Sequence, residues 1–326
     1  MKISWKYSVA AGILLIPFVL SMGFIFPAGD DFARCNMASR LFDVTGGLHE
    51  MGSAWWKWSG RYTHHFLVVF LGRVVLSREA CALTAAGMAL LHLIPLYGIF
   101  STLQGGRRRE SVFLALFCLL VIYCGYQDLS ESFYFITGIF SIGVSGGMTL
   151  LFLWAMCRLW FAPQVTRGTV FFPVISGILA IGCYEHSALA TLLAAGIALG
   201  MARLYRHPHE AAFRQVMLWI GAFFLLSFLC RGNFRRQTKR GTDIHVISDQ
   251  LGNAWDDWLM YGFWVFASVL PVAAVVAGGL ARPRWRASLA DKLSIPVVMS
   301  LGGAAYVLLS ASIVFVHALS DVTIGQ

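Results

Sequence analysis

Runs of about 18 or more consecutive apolar residues recur along the whole chain, and each, as a helix, is long enough to cross a hydrocarbon core about 30 Å thick. A water-soluble fold cannot bury that much apolar surface. Of 326 residues, 58% are hydrophobic and only 13% are charged, whereas a soluble domain carries about a quarter charged residues. The runs are continuously apolar and do not alternate every second residue, which disfavours a transmembrane barrel. A helix, by contrast, satisfies its own backbone polar groups in lipid. The sequence therefore predicts an all-α, polytopic helical membrane protein. Residues 1–326 form a single membrane domain with about nine transmembrane helices.

The net charge of +9 comes from basic residues scattered in short groups between apolar runs. That distribution encodes membrane topology and does not describe a nucleic-acid surface. Of the seven cysteines, Cys81, Cys118, Cys124, Cys157, Cys183 and Cys230 fall in or at apolar runs and read as small core residues. Lys2 and Lys6 precede an apolar stretch from Tyr7 to Phe26. It is too long for a signal-peptide core and lacks a small-x-small cleavage site, so a retained signal anchor is expected.

By the positive-inside rule, Lys2 and Lys6 hold the N-terminus in the cytoplasm and the first span delivers Pro27 to the outer side. Residues 27–79 are expected to form an outer loop. Within it, Leu48 to Leu76 would be re-entrant or interfacial helices, because His64, His65 and Arg73 interrupt the short apolar run from Tyr62. If that run crossed, Arg107, Arg108 and Arg109 would lie outside. The remaining spans are expected at about 80–103, 111–127, 137–160, 169–185, 187–205, 215–230, 258–280 and 294–316. Arg158, Arg167, Arg203 and Arg206 then share the cytoplasmic side with Arg282, Arg284, Arg286 and Lys292. Asp30, Asp31, Asp128, Glu131, Glu185, His186, Asp256 and Asp257 share the outer side. One outer loop, 231–257, is itself basic, with Arg231, Arg235, Arg236, Lys239 and Arg240. It admits two readings, an anionic ligand at the outer surface or solvation by outer-leaflet headgroups.

The candidate chemistry lies on that outer side. Asp30 and Asp31 follow the first span directly. Adjacent carboxylates raise one another's pKa, and the ionised one can act as general base toward a sugar hydroxyl. The plain alternative is a solvated turn capping the next helix. Trp55, Trp56 and Trp58 read as interface anchors or as sugar-stacking rings. Arg61 has a fork suited to a phosphate or carboxylate, so it could fix Asp30 or Asp31 or hold a ligand phosphate. Glu131 and Glu185 stand close to hydrocarbon, where an acid is costly unless paired. For both acids a structural ion pair with Arg61 or Arg231 is the plain reading. His64 and His65 are adjacent and not at helical metal-ligand spacing, and no zinc or phosphate-loop signature is present. Gly143, Ser145, Gly146 and Gly147 read as helix-packing residues.

The acidic pair after the first span, Trp58-Ser59-Gly60-Arg61-Tyr62, Glu131 with Tyr134, Thr137 and Gly138, and Arg231-Gly232-Asn233 with Arg235 together resemble the bacterial GT-C-type membrane glycosyltransferases. The likeness is to serotype-converting O-antigen glucosyltransferases and relatives in polysaccharide loci. Phe135 departs from the tryptophan of that pattern. The resemblance implies inverting transfer of a sugar from a polyprenyl-phosphate donor to a glycan or lipid-linked acceptor at the periplasmic face of the bacterial inner membrane. It implies catalysis by Asp30 and Asp31. Substrate binding would fall to Arg61, Glu131, Tyr134, Glu185, Arg231, Asn233, Arg235 and Arg236. The partners would be the donor, the acceptor and membrane lipids, without nucleic acid. No cofactor or metal is expected, with a divalent cation left open. A transporter or flippase for a lipid-linked sugar or other anion is the competing class, and it would require ionisable groups near mid-bilayer.

Overall fold

A computed structural model describes residues 5–22, 43–57, 59–72, 74–104, 106, 108–125 and 136–233. All regular structure among them is helical. The elements are α1 (Trp5–Met22), α2 (Val44–Lys57), α3 (Tyr62–Leu71), α4 (Arg78–Leu103), α5 (Arg108–Gly125), α6 (Ile136–Trp160), α7 (Arg167–Ile181), α8 (Glu185–Leu204) and α9 (Glu210–Phe228). Four of them, α4, α6, α8 and α9, are long and apolar enough to cross a membrane. The spans expected at 258–280 and 294–316 lie outside the described residues.

Helix starts and stops follow local chemistry. Ser77 caps α4 by accepting a hydrogen bond from the Ala80 N–H at 3.2 Å, and Thr166 with Thr169 forms a reciprocal cap on α7. Two boundaries differ from the hydropathy reading by four or five residues. The last described helix begins at Glu210, before the expected residue 215, because a helix does not stop where hydrocarbon stops. Its first residues, from Glu210 to Arg214, instead precede the apolar run. Helix α7 ends at Ile181, before the expected 185, since Gly182 and Cys183 turn the chain.

Side-chain contacts fix the helix directions. Leu91 of α4 packs on Gly147 of α6, and Gly98 of α4 packs on the Trp154 indole of α6. These two helices therefore run parallel, and the short turns make α5, α7, α8 and α9 alternate around them. Phe18 lies against Tyr123 with ring centroids 5.6 Å apart, so α1 and α5 finish toward the same end. Two apolar cores result. One gathers α1, α3, α4, α5 and the start of α6 around Met88, Phe100 and Ile139. The other gathers the rest of α6 with α7, α8 and α9 around Phe152, Phe213 and Ile220. Outside them, Ile13, Leu20, Leu83, Leu90, Leu218 and Leu225 are exposed, as befits helices whose solvent is lipid.

Helix α6 is not uniform, since residues Ile139–Gly143 form one wide π turn between α-helical segments. The turn is buried at Ile139, Phe140, Ser141 and Gly143. Gly147 is a contact glycine, consistent with a packing role for the glycine-rich segment that follows the turn.

Helix α3 has 10 residues, or about 15 Å, roughly half a hydrocarbon thickness. Both its flanks sit where α4 begins. Its first turn meets Gly182, and the turn Val74–Leu76 folds back so that Val75 accepts a hydrogen bond from Cys81 Sγ at 3.0 Å. The chain enters and leaves this segment at one end of the bundle.

At the opposite end, the turns after α6 and α8 are stitched by two histidines. His209 Nε2 donates to the Ala162 carbonyl at 2.8 Å, and His207 Nε2 to the Trp160 carbonyl at 3.2 Å. His207 Nδ1 accepts from the His209 N–H at 3.2 Å, so the network specifies a neutral imidazole protonated on Nε2. Burial first, then neighbouring His209, hold the His207 pKa below the usual 6.5, against the pull of its bond to the Trp160 carbonyl. The unfolded chain then binds the extra proton more readily. Stability from this group is complete above pH 6.5 and is lost as the pH falls through the lower folded value. Melting temperature should therefore fall on acidification below that point, and His207→Gln should flatten the fall in a pH series of thermal unfolding.

Candidate functional site

Three segments distant in sequence meet at the end where α3 and α4 begin. They are the Ser59 to His65 stretch, the turn between α7 and α8, and the end of α9 with the residues after it. The first contact is a backbone one. The Gly182 carbonyl accepts hydrogen bonds from the N–H groups of Thr63 and His64 at 2.8 and 3.1 Å. It thereby satisfies two of the donors that the first turn of any helix leaves open. No side chain caps α3, so the α7 turn does that work. A Cβ at Gly182 would collide with Tyr62 and Thr63, so only glycine allows the approach. Tyr62 reaches further and donates its hydroxyl to the Ile178 carbonyl at 2.6 Å.

The second contact joins Gly60 to the end of α9. Its N–H donates to Asn233 Oδ1 at 3.3 Å, and its carbonyl accepts from Ser227 Oγ at 3.1 Å. Asn233 Nδ2 in turn donates to the carbonyls of Ser227 and Phe228 at 3.0 and 3.1 Å, closing off groups that a helix end leaves unpaired. The two backbones approach so closely that a Cβ at Gly60 would fall on the Ser227 carbonyl.

Arg61 is held between these contacts. Its Nε lies 2.9 and 2.8 Å from the two Glu185 oxygens, and its Nη2 lies 2.7 Å from Oε2. The guanidinium also stands 4.4 Å over the Tyr184 ring, and that ring stacks on His186 with centroids 5.0 Å apart. Glu185 occupies the first turn of α8, where the helix dipole favours a negative charge. Ser187 secures the turn by donating to the Ala180 and Tyr184 carbonyls at 2.6 and 2.7 Å. The carboxylate that Arg61 takes is thus Glu185, the ion-pair reading of that acid. Among the described residues Arg61 Nη1 makes no hydrogen bond. Arg231 is exposed, pairs with no carboxylate among the described residues and stands 5.9 Å over the Trp56 ring.

Of the residues singled out from sequence, Arg61, Glu185, Arg231 and Asn233 meet here. Asp30, Asp31, Glu131, Tyr134, Arg235 and Arg236 lie outside the described residues. Helix α1 ends at Met22 toward this same end. Sequence reasoning missed Tyr184, Gly182 and Ser227. Tyr184 was detectable as an aromatic flanking Glu185 and His186, whereas Ser227 is one small residue in an apolar run and gives no signal.

His64 and His65 lie side by side with ring centroids 5.5 Å apart, and His65 Nε2 is 3.2 Å from Ser59 Oγ. No cluster of metal ligands occurs among the described residues. Cys183 lies in the α7 turn, and burial pushes its thiol up to about 12 against the lowering effect of the Thr63 hydroxyl. Only the thiolate is nucleophilic. Cys183 should therefore stay unmodified by maleimide at neutral pH in the folded protein and react fully once denatured, as peptide mass spectrometry would read. Comparison with protein-family models, with curated proteins and with solved structures gives no match to this chain.

Proposed function

We propose that the chain is a multi-pass glycosyltransferase of the bacterial inner membrane. It would move a sugar from a polyprenyl-phosphate donor to a cell-surface glycan or lipid-linked acceptor at the periplasmic face. In this reading about nine spans cross the bilayer, the N-terminus is cytoplasmic, and the Arg61 end of the bundle faces the periplasm. The observation that carries it is the assembly at one helix-bundle end of Arg61, Glu185, Asn233 and Arg231 from distant segments. In the mechanism, an Asp carboxylate takes the proton of the acceptor hydroxyl. The oxygen attacks the anomeric carbon, and the C–O bond to the lipid phosphate breaks with inversion. Arg231, with Arg235 and Arg236, receives the charge on the leaving phosphate. Arg61, engaged by Glu185, positions the Gly60 segment, and its Nη1, which makes no hydrogen bond among the described residues, would face the ligand.

Transport of a lipid-linked sugar is the weaker reading, because α4, α6, α7, α8 and α9 hold no Asp, Glu, Lys or Arg at their centres, and His92, the ionisable residue at the middle of α4, is buried with its Nδ1 on the Met88 carbonyl of its own helix at 2.9 Å. Purified protein in lipid nanodiscs, given polyprenyl-phosphate sugars and glycan acceptors, should consume donor and release polyprenyl phosphate. Intact donor across the set, or donor moved between leaflets without cleavage, would count against transfer.

A further inference from the structure

The end opposite Arg61 carries a surface that the proposed transfer does not use. There His207 and His209 bind the turn after α6 to the turn after α8, and this end of α6, α7, α8 and α9 carries Arg158, Arg167, Arg206 and Arg214, all exposed. Among the described residues none of these four pairs with a carboxylate, while Arg203 meets Glu210 at 3.4 Å. Arg158 is held in place by two aromatic faces, its guanidinium 5.7 Å over Trp154 and 5.8 Å over Phe172. Arg206 has φ +49°, which L residues rarely adopt. The tie from the His207 N–H to the Ala202 carbonyl at 2.8 Å keeps that turn closed.

In and beside the same two turns Phe161, Val165 and Leu204 are exposed, Leu204 at 65%. A soluble polyanion would satisfy the guanidinium groups but leave those three side chains in water. A lipid satisfies both, with its phosphate diester among the arginines and its acyl chains on the apolar residues. We infer that the joined turns form a binding site for the headgroup of an anionic phospholipid from the adjoining leaflet.

Native mass spectrometry of the full chain, released from an equimolar mixture of phosphatidylglycerol and phosphatidylcholine, tests this. Phosphatidylglycerol should be retained preferentially, each arginine contributing about a fivefold preference. The triple variant Arg158→Gln, Arg167→Gln, Arg206→Gln should lose about a hundredfold of that preference, while the corresponding lysine variant keeps most of it. Arg108→Gln with Arg109→Gln, which removes charge at the same end on α5, should leave the preference in place. Equal retention of the two lipids by the unmodified chain overturns the site, and so does an equal loss in the α5 variant. If the triple variant does not fold, the unmodified chain decides by thermal shift. Stabilisation by phosphatidylglycerol, but not by phosphatidylcholine or saturating inorganic phosphate, upholds the site. Stabilisation by phosphate alone, or by neither lipid, overturns it.

Discussion

Changing both Asp30 and Asp31 to asparagine should abolish sugar transfer while the protein still folds and inserts. Asparagine keeps the size and hydrogen-bonding reach of aspartate but cannot take a proton at neutral pH. A positioned general base contributes roughly 10²- to 10⁴-fold in rate, so a drop of about three orders of magnitude is expected. The two single variants separate the roles. The one that removes the base should lose nearly as much as the double, and the other should lose less. Donor turnover by equal amounts of folded protein is the measurement. Full activity in all three would remove Asp30 and Asp31 from the chemistry.

Glu185→Ala should lower the unfolding free energy by about 2 kcal/mol, because it leaves the Arg61 guanidinium without its carboxylate. The side chains of the pair are 20% and 29% exposed. Their geometry is bidentate, but their desolvation is partial. Fully exposed pairs contribute about 0–1 kcal/mol, and breaking a buried pair costs about 3–5 kcal/mol, so this one falls between. A double-mutant cycle with Arg61→Ala, read by reversible denaturation in mixed micelles, should show the double variant costing less than the two singles added. Simple additivity would mean that the pair contributes nothing to holding the three segments together.

Much of this architecture was legible in advance, and the reason is solvent. Helices that must satisfy their backbones in lipid announce themselves as unbroken apolar runs, so α4, α6 and α8 begin and end close to where hydropathy places them. Legibility fails where lipid stops being the deciding solvent. The first turn of α9 at Glu210, and the stop of α7 at Ile181, depend on polar-layer turns that no hydrophobic run records. The same holds at the candidate site. Arg61 and Glu185 each stand out because charge near hydrocarbon needs a partner, although the sequence left Arg231 equally available. Gly60 and Ser227, whose backbones meet at the centre of the site, carry no charge and no periodic mark, and only the folded chain brings them together.

The π turn at Ile139–Gly143 means that α6 is assembled in two screw phases. One residue more than an ordinary helix would use is absorbed there. The phase of Thr137 and Gly138 is thereby uncoupled from that of Trp154 and Leu159, which are fixed in the bundle. Excising one residue from the turn would swing everything upstream by about 100° around the axis and leave the downstream half untouched. The span can thus present one phase to the first core at Ile136 and Ile139 and another to the second core at Phe152 and Leu159.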